Sequence, residues 1–122
     1  MRIRITAGDV SALAELNESR TAAAIAAALP IDGRANTWGE EIYFPIPVKL
    51  GSENGRVEVA VGDLGYWPPG SAFCIFFGRT PASIGPEPRA ASLVNVCGRL
   101  LSDPGLFRKV KDGTPIHLEP AE

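Results

Sequence analysis

Between Gly62 and Gly78 the chain reads Gly-Asp-Leu-Gly-Tyr-Trp-Pro-Pro-Gly-Ser-Ala-Phe-Cys-Ile-Phe-Phe-Gly. Two prolines and a glycine lock a turn directly behind two aromatics, and Ala72 to Phe77 then runs apolar on both faces. Such a strand must lie centrally in a sheet or beneath a covering element. The flanking sequence supplies further short strands and no βαβ alternation, which points to an antiparallel barrel or sandwich.

The strands are legible from alternation. Ile3 and Ile5 alternate with Arg2 and Arg4, Gly8-Asp9 makes a turn, and Val10 to Leu16 returns, so the chain opens on a hairpin. A helix is predicted from about Arg20 to Leu29, capped at Ser19 or Thr21 and stopped by Pro30. Its apolar stripe, Ala22, Ile25, Ala26 and Leu29, is mostly alanine and suits close packing on a sheet. In Glu40 to Val48, Ile42, Phe44, Ile46 and Val48 share one face, while Glu41, Tyr43, Pro45 and Pro47 share the other. Prolines there mark an edge or bulged strand, and the blunted edge favours a monomer or a weak homodimer.

Val57, Val59 and Val61 suggest another strand. Thr80 to Pro88 reads as a loop, Leu93 to Cys97 as a strand stopped by Gly98, and Leu101 to Val110 as holding a short helix opening at Ser102 or Asp103. Ile116 to Glu119 is the last strand.

A length of 122 residues fits a single domain, 1–122, with its own core. Charged residues make up 21% and the net charge is −2, which gives no electrostatic case for nucleic acid or an anionic membrane. No apolar run is long enough to span a bilayer, and the amino-terminal strand has no signal-peptide pattern, so a cytoplasmic location is expected. Cys74 and Cys97 lack redox or zinc spacing and read as buried free thiols. One histidine, His117, and scattered carboxylates give no metal site and no cofactor is expected. Ser83 and Ser92 have no activating partner in sequence, so a hydroxyl nucleophile is not expected.

The order hairpin, Ala-rich helix, Trp-Gly-Glu-Glu-Ile-Tyr-Phe, Gly-Asp-Leu-Gly-Tyr-Trp-Pro-Pro-Gly, Phe-Phe-Gly-Arg-Thr-Pro and Val-Asn-Val-Cys-Gly-Arg-Leu resembles a small prokaryotic cyclophilin-like family without an established activity. The resemblance covers about Arg2 to Glu119. It implies an all-β closed barrel of about eight mainly antiparallel strands, with two short helices capping the ends. True cyclophilins carry an arginine within a Phe-His-Arg motif on the third strand. Here that region reads Glu40-Glu41-Ile42-Tyr43-Phe44, with acid and phenol where a cation is expected. The resemblance therefore implies the barrel and speaks against prolyl isomerisation.

The candidate ligand-binding residues are Glu41, Tyr43, Tyr66, Trp67, Phe73 and Arg79. Glu41 and Tyr43 share the strand's outer face, where cyclophilins bind peptide. Tyr66 and Trp67 are rigid amphipathic aromatics held by Pro68-Pro69, suited either to a pocket wall or to plugging the barrel rim. Phe73 and Phe77 are core residues or the floor of an outer pocket. Arg79 can meet an anionic group, and Trp38 beside Gly39 reads as a turn anchor. The expected function is a binding module for a peptide or small molecule without prolyl isomerase activity. The alternatives are a small-molecule enzyme using Glu41 or Glu40 as general base, or a divergent peptidyl-prolyl isomerase.

Overall fold

The computed structural model describes residues 1–121. Among them, ten strands pair antiparallel throughout: β1 (Arg2–Ala7), β2 (Val10–Leu16), β3 (Ile31–Arg34), β4 (Asn36–Thr37), β5 (Glu41–Pro45), β6 (Arg56–Glu58), β7 (Asp63–Trp67), β8 (Ala72–Phe76), β9 (Arg89–Leu100) and β10 (Pro115–Pro120). Helix α1 (Arg20–Ala28) follows β2, and 3-10 turns occupy Pro68–Gly70 and Pro104–Lys109. The sheet runs β3-β10-β1-β2-β9-β7-β8-β5-β4, with β6 added to β9. Its two ends, β3 and β4, are consecutive in the chain and separated by Ala35 alone. The path thus returns on itself through the backbone, as the barrel reading expects.

Alternation builds the interior. Ile3 and Ile5 of β1, Ile42 and Phe44 of β5, Leu64 and Tyr66 of β7, Phe73 and Ile75 of β8 and Ile116 and Leu118 of β10 are all buried in one apolar cluster. Ala22 and Ile25 of α1 and Phe107 of the second 3-10 turn join it. Phe44 and Phe73, cross-strand partners, pack with ring centroids 5.7 Å apart. Strand β8 lies between β7 and β5, which buries its inward residues. Its outward residues, Cys74 and Phe76, belong to a second, smaller cluster with Val59, Ala90 and Val94. That double burial is why the strand is apolar on both faces.

Ser19 caps α1 by accepting a hydrogen bond from the Ala22 amide at 3.0 Å. The capping is reinforced from outside: the Glu53 carboxylate accepts from the Arg20 and Thr21 amides and from the Thr21 hydroxyl. An anion at a helix amino terminus meets free N–H groups and the positive end of the helix dipole.

Two expectations need correction. Gly98 does not stop its strand; β9 starts at Arg89 and runs on to Leu100. A Cβ at Gly98 would collide with the Glu15 carbonyl oxygen and lie 3.1 Å from Leu16 Cα, so the glycine serves the close approach of β2. The valine alternation at 57–61 pairs only over Arg56–Glu58; Val59 turns into the outer cluster and Val61 is half exposed. The expected short second helix is present as a 3-10 helix, Pro104–Lys109, opened by Asp103, whose side chain accepts from the Gly105 amide at 3.0 Å.

Candidate functional site

The site grows from the hairpin of β4 and β5. Trp38 and Glu41 exchange backbone hydrogen bonds of 2.9 and 3.2 Å around the two-residue turn Gly39-Glu40. Gly39 sits at φ 61°, and a Cβ there would lie 2.8 Å from Pro81 Cδ and 2.9 Å from Thr80 Cα, so the turn requires glycine. The reciprocal pairing puts Trp38 directly opposite Glu41, and Tyr43 follows two residues on along the same face. Across the sheet Tyr43 pairs with Cys74 and Trp67 with Ala72. Trp67 is held there by its indole N–H, which donates to the Ser92 hydroxyl at 2.8 Å.

These side chains enclose a cavity of about 200 Å³, lined by Trp38, Glu41, Tyr43, Trp67, Ala90, Ala91 and Val94. Its polar feature is Glu41. The residue is 5% exposed, and its Oε1 is buried with no hydrogen-bond partner. Burial raises the carboxyl to about 7, while the neighbouring Cys74 thiol pulls weakly the other way. Burial and the Glu41 carboxylate together push the Cys74 thiol well above its ordinary value. No lysine or arginine lines the cavity. A native protein seldom leaves a buried carboxylate oxygen without a donor, because desolvation without a partner is costly.

The sequence candidates divide. Glu41, Tyr43 and Trp67 come together in this cavity. Tyr66 and Phe73 do not: both are fully buried in the barrel interior and pair with each other across β7 and β8. Tyr66 and Trp67 are neighbours in one strand, so they point to opposite faces, and Phe73 falls on the Tyr66 side. The Tyr66 hydroxyl donates to the Val48 carbonyl and accepts from the Leu50 amide at 3.2 Å, which pins the incoming loop. Phe77 is buried against Phe107, 6.1 Å between centroids. Arg79 also lies elsewhere; its guanidinium donates to the Ser83 carbonyl of its own loop at 3.3 Å. Glu40 faces away and accepts from Arg108 Nε at 2.7 Å, so it is engaged as an ion pair and is no free base.

Trp38, Ala90, Ala91 and Val94 were not singled out by the sequence as site residues. Trp38 was within reach: two residues of turn between it and Glu41 define a hairpin that brings them opposite. Ala90 and Ala91 carried no signal, since β9 begins at Arg89, four residues before the expected start at Leu93, and Val94, though inside the expected strand, is an ordinary apolar strand residue.

Ser83 and Ser92 serve in structural hydrogen bonds, the first to the Glu87 carbonyl and the second to Trp67. Asp63 accepts from the Ala60 amide within its own turn. Cys74 and Cys97 are free and buried, one in each apolar cluster. Among the described residues no three metal-ligating side chains converge, and no helix is long and apolar enough to cross a membrane. A wider groove of about 550 Å³ runs past Thr6, Asp32, Arg34 and His117. There His117 Nδ1 lies 2.7 Å from Asp32 Oδ1, and this hydrogen bond raises the histidine pKa. Its histidine and aspartate already satisfy each other, whereas Glu41 Oε1 has no partner.

Comparison with known proteins gives the same architecture. The hypothetical protein AF2241 from Archaeoglobus fulgidus, known from a solution structure, is 42% identical; the match covers 99% of this chain and 95% of that one, with a TM-score of 0.83. McbB, solved in complex with tryptophan, matches with a TM-score of 0.70 at 12% identity over 96% of this chain and 44% of its own. That second likeness concerns the fold alone. No curated protein matches. The family model described as Cyclophilin-like matches residues 1–119, and the chain belongs to the cyclophilin-like family.

Proposed function

We propose that this protein binds a small molecule, or a single side chain of a peptide, in the cavity between Trp38, Glu41, Tyr43 and Trp67. The observation that carries the reading is the buried Glu41 Oε1 without a partner, on a residue that lines a hollow walled by aromatics. A ligand with a hydrogen-bond donor satisfies that oxygen, and the rings supply apolar contact at little entropic cost. The cavity is smaller than the 300–1,000 Å³ typical of drug-sized ligands, which favours a ligand about the size of one ring or one side chain. Prolyl isomerisation loses support, because no arginine faces the cavity to stabilise a twisted carbonyl.

A second reading has its own observation. A carboxyl raised to about 7 is poised to exchange protons at neutral pH, so Glu41 also suits the role of general base for a substrate held against the rings. McbB has been solved with tryptophan in place, but at 12% identity it transfers no residue role.

The test is a thermal-shift screen of metabolites and short peptides, run on the native protein, on Glu41→Gln and on Tyr43→Phe. A ligand that binds the folded state raises its melting temperature. Stabilisation by a compound that is lost in Glu41→Gln supports the site. Stabilisation indifferent to both substitutions places the ligand elsewhere. A compound consumed by the native protein and only bound by Glu41→Gln supports the general base.

A further inference from the structure

We propose that the occupant of the cavity presents an organic ammonium group, seated on the Glu41 carboxylate and faced by Trp38, Tyr43 and Trp67. The proposal rests on the ligand-binding reading above and specifies its chemistry.

Three features of the lining select the head group. First, the orphaned atom is a carboxyl oxygen, an acceptor only when Glu41 is ionised, so a ligand that holds the carboxylate ionised must donate. Second, no cationic side chain in the lining attracts an anion; the donors there, the Tyr43 hydroxyl and the indole N–H groups, are neutral. The cavity has a carboxylate and no lysine or arginine, and the Trp67 indole N–H is already engaged by Ser92. An anionic ligand would meet like charge and find no compensating cation. Third, the walls are indole and phenol rings, whose faces carry negative charge density and attract cations. A carboxylate ringed by aromatics is the arrangement that recognises alkylammonium groups in general, because charge and ring quadrupole act in the same direction.

The remaining lining, Ala90, Ala91 and Val94, is small and aliphatic. It accepts the apolar stem of such a ligand and offers no second polar anchor. A protonated amine on a short alkyl or arylalkyl body fits this chemistry. A free amine and a lysine side chain of a peptide both supply it.

The chain contains two tryptophans, Trp38 and Trp67, and both line the cavity. Intrinsic tryptophan fluorescence therefore reports on this site directly. The experiment titrates the native protein with 2-phenylethylamine, 2-phenylethanol and 3-phenylpropionate, three probes that share a ring and differ in head group. The fourth probe is lysine capped at both ends as an acetyl amide.

The expected result is a saturable fluorescence change with the amine, binding about tenfold or more tighter than the alcohol, and no saturation with the carboxylate. Glu41→Gln should reduce amine affinity to that of the alcohol. Capped lysine binding tighter than 2-phenylethylamine assigns the ammonium to a peptide side chain, and the reverse order assigns it to a free amine. Equal affinity for amine and alcohol, or preference for the carboxylate, overturns the ammonium inference while leaving the cavity a ligand site. No saturable response to any probe overturns both. The head-group comparison is made on the native protein and stands whether or not the variant folds.

Discussion

Glu41 is a carboxyl at 5% exposure among aromatic rings, and the folded chain tolerates it best with its proton on. The unfolded chain ionises it near 4.5, while the folded chain holds the proton to about 7. Between those values the folded state binds more protons. Its contribution to stability is therefore complete below 4.5 and is lost as the pH rises through 7. Urea denaturation at pH 5 and pH 8 should show the native protein losing about 2 to 3 kcal/mol that Glu41→Gln does not lose. Parallel pH profiles would mean that the carboxylate finds a donor in solution. Tyr66 makes the contrasting case. Its hydroxyl is fully buried and doubly bonded, so Tyr66→Phe leaves the Val48 carbonyl and the Leu50 amide without a partner. The expected loss is about 1–3 kcal/mol in the same denaturation measurement, with amine binding unchanged. A loss of ligand binding in Tyr66→Phe would return that residue to the site.

Strand β9 illustrates how an element reads differently from its residues. Gly98 looks like a terminator in sequence, yet it lies opposite Leu16 in the β2–β9 register, where the backbones leave no room for a Cβ. Gly98→Ala should destabilise by several kcal/mol, on the order of an overpacked core substitution, read from the thermal midpoint. A neutral effect would show that β2 can yield. Helix α1 depends similarly on a distant group. Glu53→Gln keeps the shape but removes the charge at the helix amino terminus, and about 1 kcal/mol of stability should go with it. The opening hairpin, α1 and the central apolar strand were all legible, because each rests on local alternation, caps and breakers. The extent of β9 was not, since its glycine answers to a partner strand more than eighty residues away. The candidate site was half legible for a related reason. Glu41, Tyr43 and Trp67 share a face by alternation, and the same alternation sends Tyr66 and Phe73 inward. Collecting neighbouring aromatics into one pocket ignored the pleat.

At the scale of the molecule, closure depends on strands far apart in the chain: β1 with β10, β3 with β10, β2 with β9 and β7 with β9. Such pairings must await the folding of most of the chain, so slow, high-contact-order folding is expected. Within that frame β9 leads two lives. From Asn95 to Arg99 it pairs with β7 and from Gly98 to Leu100 with β2, with Cys97 and Leu100 in the inner cluster. From Arg89 to Val94 its only strand pairing is with the short β6, across an irregular register, and it lends Ala90, Ala91 and Val94 to the cavity wall. Amide hydrogen exchange should divide the strand accordingly. The Val96–Leu100 amides should be among the last to exchange, while Ala90–Val94 should open far sooner through local fraying. Uniform protection along β9 would contradict this. An occupant pressing on Val94 should slow the fraying half and leave the clasped half untouched, so a single strand would carry both the clock of global unfolding and the record of whether the cavity is filled.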